Sequence, residues 1–227
     1  MLGSVSQSWS NCPETKNLLE KQKEETEQRM NKSMRNFVSG WYEDKNKEVI
    51  FDKSRGWNQN HLMLKHLYTD AKIIVCVRDL RNVYSSVEKQ HKKNPLLDGG
   101  IKTIYEKADK MFSPDGMLGS CVQGVEDIIR RDADAIFIKY EALADSPEKI
   151  MRQLYDYIDE DYYVEHNFDS VQNTAIDCDG FYLNKFPHRG EGKVVPGDPK
   201  EYEKFLAPDL AKTIYDKFES YNKFFNY

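Results

Sequence analysis

Residues 72–77, KIIVCV, constrain this chain more than any other stretch. The run is apolar on both faces of an extended backbone and rich in β-branched residues. That is the pattern of a strand covered on both sides, as in a parallel sheet packed between helices. Two shorter runs, EVIFDK at 48–53 and AIFIK at 135–139, read as further strands. Helical patterns separate all three, and strands alternating with helices imply parallel βαβ units. The expected fold class is α/β, a parallel sheet flanked by helices, in one domain spanning residues 1–227.

The helices follow from spacing and caps. A long pattern starts at Pro13, with Glu14 beside it in the first turn. Its stripe of Met30, Met34, Phe37, Val38 and Trp41 predicts a core-facing side, and KQKEETEQR a solvated one. Further helices are predicted from Trp57 to Tyr68 and over 80–91, 100–112 and 117–131. Ser146 should cap a helix with Pro147 in its first turn. Residues 160–207 read as irregular. From Pro208 a closing helix places Ile214, Phe218, Tyr221 and Phe225 on one face. Three strands make a thin sheet for 227 residues, which suggests that a strand of the sheet is missing from this sequence.

Composition removes several function classes. A net charge of −5 gives no global positive field for nucleic acid. Cys12, Cys76, Cys121 and Cys178 form no CxxC pair and no zinc-finger spacing. Cys76 lies in the apolar run and is expected to be buried, and a reducing, cytoplasmic setting fits the set. No stretch approaches the roughly 20 apolar residues that cross a bilayer, so no membrane partner is expected. The N-terminus carries no secretory signal pattern.

The chemistry concentrates where the first clear strand ends. Arg78 follows Val77, at the sheet edge where ligands bind in open α/β folds. Ser86 lies eight residues later on the next helix. A guanidinium fork and a hydroxyl converging on one phosphate would explain the pair. The plainer reading makes Arg78 and Asp79 a surface charge pair and Ser85 and Ser86 packing residues.

RDLRNVYSS, residues 78–86, resembles the 3′-phosphate-binding stretch of the sulfotransferase family, with Leu80 where proline is often found. VIFDKSRGW at 49–57 is similar to that family's second strand and its Lys-Ser pair. IFIKYEALADSPEKIMRQLYDYI at 136–158 is similar to its Tyr-Glu segment and following helix. EHNFDSVQN at 165–173 resembles bacterial and phage-type members.

The resemblance implies a P-loop-NTPase-like fold and 3′-phosphoadenosine-5′-phosphosulfate (PAPS) as co-substrate. The product would be a sulfated hydroxyl or amine on a small-molecule or carbohydrate acceptor. It implies Arg78 and Ser86 as ligands of the 3′-phosphate. It makes Lys53 the cation at the oxygen linking sulfate to the 5′-phosphate, where charge builds in the transition state. It adds Arg189 and Lys193, from the glycine-rich loop FPHRGEGKVVPGD at 186–198, as further phosphate contacts. Each has a plainer reading: a strand-end lysine for Lys53, ordinary loop charges for the other two. Tyr140 and Glu141 read as structural.

No metal is implied. The family's first phosphosulfate-binding strand and loop have no counterpart here, which predicts an N-terminally incomplete domain with weak catalysis and an open sheet edge favouring self-association. Where the family has a basic histidine, this sequence has Arg55, so no base is assigned; His61 and Glu14 are candidates.

Two other classes stay open. One is an inactive module that binds adenosine bisphosphate, and the other an interaction domain using the charged helix at 14–47. A kinase has the least support, since no GxxxxGK[ST] occurs.

Overall fold

The computed structural model describes residues 12–14, 23–45, 47–93, 100, 103–172 and 192–227. The chain divides into two compact units, Met1–Ala71 and Lys72–Tyr227.

In the first unit, helix α1 (Lys23–Trp41) lies against α2 (His61–Leu67), which a 3-10 turn (Asn58–Asn60) leads into. Arg35 Nε donates to the Leu67 carbonyl at 2.8 Å, and Asn31 Nδ2 meets His66 Nε2 at 2.9 Å. These contacts tie down the C-terminus of α2, where carbonyls lack helical partners. The apolar stripe of α1 is not a core face. Met30, Met34 and Val38 are half-buried, while Phe37 and Trp41 are 48% and 68% exposed.

The strand expected at 48–53 is also absent. Val49, Ile50 and Phe51 are exposed, and the segment forms no ladder. An apolar run becomes a strand only when its backbone groups pair with a neighbour. Here Asp52 is held locally instead: Trp57 Nε1 donates to its Oδ1 at 2.9 Å, and the Tyr42 hydroxyl donates to Oδ2. The Tyr42 phenol is pushed up to about 12 by that hydrogen bond, with burial adding to it.

The second unit is built on β1 (Ile74–Val77) and β2 (Ile136–Lys139), which pair in parallel from Ile74↔Ile136 to Val77↔Lys139. They are the two strands of the sheet among the described residues, one fewer than expected. Between them run α3 (Leu80–Lys93), α4 (Ile104–Met111) and α5 (Gly119–Arg130). After β2 come α6 (Tyr140–Asp145) and α7 (Pro147–Ile158), then α8 (Pro208–Lys217) and α9 (Glu219–Phe225). The small parallel sheet flanked by helices is the α/β class read from the sequence.

The core joins the helices to one face of the sheet. Val75, Val77, Leu80, Ile128, Ile138, Leu210 and Ile214 are buried, and each such side chain contributes about 1.5–3 kcal/mol. Tyr84, Phe112 and Phe218 stack in series, with centroids 5.6 and 5.3 Å apart. Cys76, expected inside, is exposed on the opposite side of β1 from Val75 and Val77. Side chains alternate along a strand, and only the valine face of β1 is packed here.

Local chemistry sets several boundaries. Thr103 Oγ1 accepts from Glu106 N–H and Glu106 Oε2 accepts from Thr103 N–H, each at 3.1 Å, a reciprocal cap on α4. The turn between α4 and α5 needs glycine. A Cβ at Gly119 would stand 2.0 Å from the Ser113 carbonyl oxygen. The closing helix expected from Pro208 is broken at Phe218. The Tyr215 carbonyl accepts there from the Phe218 N–H at 3.2 Å and from Asn222 Nδ2 at 2.8 Å, so the break is bridged across both helices.

Candidate functional site

The site begins where β1 passes into α3. Asp79 is 5% exposed and caps the helix: its Oδ1 accepts from Arg81 N–H at 2.8 Å. The same carboxylate takes the Arg81 side chain in a fork, from Nε at 3.0 Å and Nη2 at 2.7 Å. Arg81 is further fixed by the rings of Tyr202 and Tyr215, at 4.4 and 5.0 Å. Asp79 therefore pairs with Arg81. The expected alternative, an Arg78–Asp79 surface pair, does not form.

That leaves the Arg78 guanidinium for another role. It rests on the Tyr140 ring at 4.2 Å and has no carboxylate partner among the described residues. The parallel register explains the meeting: Val77 faces Lys139, so Arg78 and Tyr140 both leave the carboxyl ends of their strands. Glu141, one residue on, accepts from Asp79 N–H at 3.3 Å and from the Tyr227 hydroxyl at 3.1 Å. The Tyr-Glu pair thus serves the strand end. Tyr140 platforms the arginine, and Glu141 braces the turn that carries it. Sequence reasoning gave Tyr140 no part in the site, although its place after the second strand was the available signal.

Ser85 and Ser86 differ sharply. Ser85 is buried and its hydroxyl donates to the Asn82 carbonyl at 3.0 Å, so it packs. Ser86 is half-buried, with no hydrogen-bond partner among the described residues. The segment 197–204 lies along this helix. Gly197 approaches the Tyr140 ring, where a Cβ would sit 3.9 Å from its edge. Asn82, 2% exposed, grips the segment twice, donating to the Pro199 carbonyl at 2.7 Å and accepting from Tyr202 N–H at 2.9 Å. Lys89 pairs with Glu201. Nothing in the sequence signalled Asn82, Lys89 or Glu201, because each acts through a contact more than 100 residues away in the chain.

Lys53 is exposed in the first unit, with Ser54 Oγ accepting from Gly56 N–H at 3.1 Å. Lys193 is exposed and engaged by Asp169 at 2.7 Å, beside the Val171↔Gly192 bridge. Arg189 lies outside the described residues. Of the candidate bases, Glu14 is exposed beside Cys12, whose thiol lowers the carboxyl's pKa. His61 is 2% exposed with Nδ1 at 2.8 Å from the Asn58 carbonyl, a packed position. Among the described residues, no three His, Cys, Asp or Glu side chains are grouped to hold a metal ion. None of the described helices is long and apolar enough to cross a membrane.

Arg78 thus lies at the carboxyl end of a parallel strand, the edge of an α/β sheet outside which ligands bind. A sequence model described as the sulfotransferase family matches residues 3–163, more than half of the chain. The chain belongs to the sulfotransferase family. No curated protein and no solved structure matches it.

Proposed function

We propose that this protein transfers a sulfuryl group from PAPS to a hydroxyl or amine acceptor, a small molecule or carbohydrate. Arg78 and Ser86 bind the 3′-phosphate in this reading. The acceptor heteroatom attacks sulfur, the bond from sulfur to the 5′-phosphate oxygen breaks, and the acceptor's proton passes to a base. Adenosine 3′,5′-bisphosphate leaves. Lys53 would offset the charge building on the departing oxygen. Arg189 and Lys193 would add cations around the 3′-phosphate.

The observation that carries this reading is the state of Arg78. Its charge is spared the pairing that Asp79 gives to Arg81, and its guanidinium lies over the Tyr140 ring. An arginine that forms no direct ion pair and lies over a ring is prepared for an external anion. A cytoplasmic setting accords with the thiols that Cys12, Cys76 and Cys121 carry instead of disulfides.

The test is incubation with PAPS bearing labelled sulfate and a panel of alcohols, amines and sugars. Label appearing on an acceptor, and lost in Lys53→Ala, supports the reaction. Binding of the nucleotide with no transfer to any acceptor would reduce the protein to a binding module.

A further inference from the structure

Lys89 stands three residues beyond Ser86 on α3, and Asn82 four before it. Residues at these spacings share one helix face. On that face Asn82 clamps Pro199 and Tyr202, and Lys89 holds Glu201. Residues 197–204 thus run as a strap along α3, with the Glu201 carboxylate held at Lys89, three residues beyond Ser86. The strap's other end, at Gly197, touches the ring on which Arg78 rests.

The Lys89–Glu201 pair is only partly covered, at 29% and 34% side-chain exposure, so water and small anions reach it. The Lys89 ammonium is also held 4.4 Å from the Phe205 ring, which fixes it over the strap independently of the carboxylate. The Glu201 carboxyl is held below its usual pKa, first by the hydrogen bond from Lys89, with the charges of Lys89, Lys204 and Arg78 adding to it. Lys204, in the same segment, is committed to Asp198 at 2.8 Å.

We infer that Lys89 is a further cation of the Arg78–Ser86 anion site and that Glu201 competes with the nucleotide phosphate for it. This rests on the assignment of that site to the 3′-phosphate. A phosphate brought between Arg78 and Ser86 carries more charge than a carboxylate and takes the Lys89 ammonium from Glu201. The strap stays docked through Asn82. Glu201 thereby lowers the apparent affinity for every anion at the site.

The experiment is calorimetric titration of adenosine 3′,5′-bisphosphate into the full chain, its Glu201→Gln, Lys89→Met and Arg78→Ala variants, with melting temperatures confirming that each is folded. Glu201→Gln should bind on the order of fivefold more tightly and Lys89→Met on the order of fivefold more weakly, as expected for one charge gained or lost near an anion. If the pair only fastens the strap, Glu201→Gln binds no more tightly than the parent, and the inference is overturned. Arg78→Ala separates the two levels. Binding lost in Arg78→Ala with no gain in Glu201→Gln defeats only the role of Glu201 and Lys89, whereas binding unaffected by Arg78→Ala defeats the site itself.

Discussion

The Tyr221 hydroxyl closes both backbone hydrogen-bonding groups of Arg78: it accepts from Arg78 N–H at 3.3 Å and donates to Arg78 C=O at 3.0 Å. The two residues are 143 positions apart. The closing helix α9 thus fixes the backbone of the residue that carries the proposed anion site, and leaves only its side chain to the ligand.

Tyr221→Phe tests that link. The ring still fills its place against Phe225, 4.8 Å between centroids, but Arg78 loses both partners. The variant should lose about 1–3 kcal/mol of stability, the cost of unsatisfied backbone groups. Urea denaturation should show a lower midpoint with an unchanged slope. Bisphosphate affinity should fall as well. A midpoint equal to the parent's would mean that water replaces the phenol at no cost.

Alkaline pH should act on the same corner. The Tyr221 phenol is pushed up, chiefly by burial, and the Tyr227 phenol likewise by burial and then by the charge of Glu141. With folded-state values above the ordinary 10.0, the folded chain keeps these protons longer than the unfolded one. Their contribution to stability is fully present below pH 10.0 and declines as pH rises from there through the folded-state values. Midpoints measured across that range should fall in the parent and fall less in Tyr221→Phe.

Asn82→Ala should release the strap. It leaves the Pro199 carbonyl and the Tyr202 N–H without their partner at a buried position, at a cost of about 1–3 kcal/mol. Limited proteolysis should then cut within 197–204 faster than in the parent. An unchanged digestion pattern would show that Lys89, Arg81 and Phe205 hold the segment without it.

Gly119 and Gly197 differ in what they tolerate. Gly119→Ala would drive a methyl to 2.0 Å from a backbone oxygen and should destabilise by roughly 1–3 kcal/mol or more. Gly197→Ala meets only the Tyr140 ring edge at 3.9 Å and should be near neutral to stability. Thermal melts of the two variants check the contrast.

What could be read from sequence was local. β1, β2 and α3 follow from runs within a few residues, and α7 starts at Pro147 as read, although the Ser146 hydroxyl expected to cap it donates to Asp145 instead. The placing of Arg78 at a strand end is local too. The failures are tertiary. EVIF has the composition of a strand but no ladder, and Trp41 has the spacing of a core residue but little to pack against. The break at Phe218 is bridged by a side-chain contact, from Asn222 to the Tyr215 carbonyl, that no helix periodicity reveals. Asp79 could be foreseen as charged beside Arg78, but its commitment to Arg81 follows from the cap geometry, which also explains why Arg78 is spared.

The central claim is that Arg78 and Ser86 hold a 3′-phosphate. It is tested most directly by calorimetric titration of the chain with adenosine 3′,5′-bisphosphate, against 5′-AMP and ATP, with Arg78→Ala and Ser86→Ala alongside. The account predicts selective binding of the bisphosphate, weakened about tenfold or more in Arg78→Ala by loss of a charge-assisted contact worth about 1.5–3 kcal/mol. Equal affinity for 5′-AMP, or a bisphosphate affinity that Arg78→Ala leaves unchanged, would contradict it.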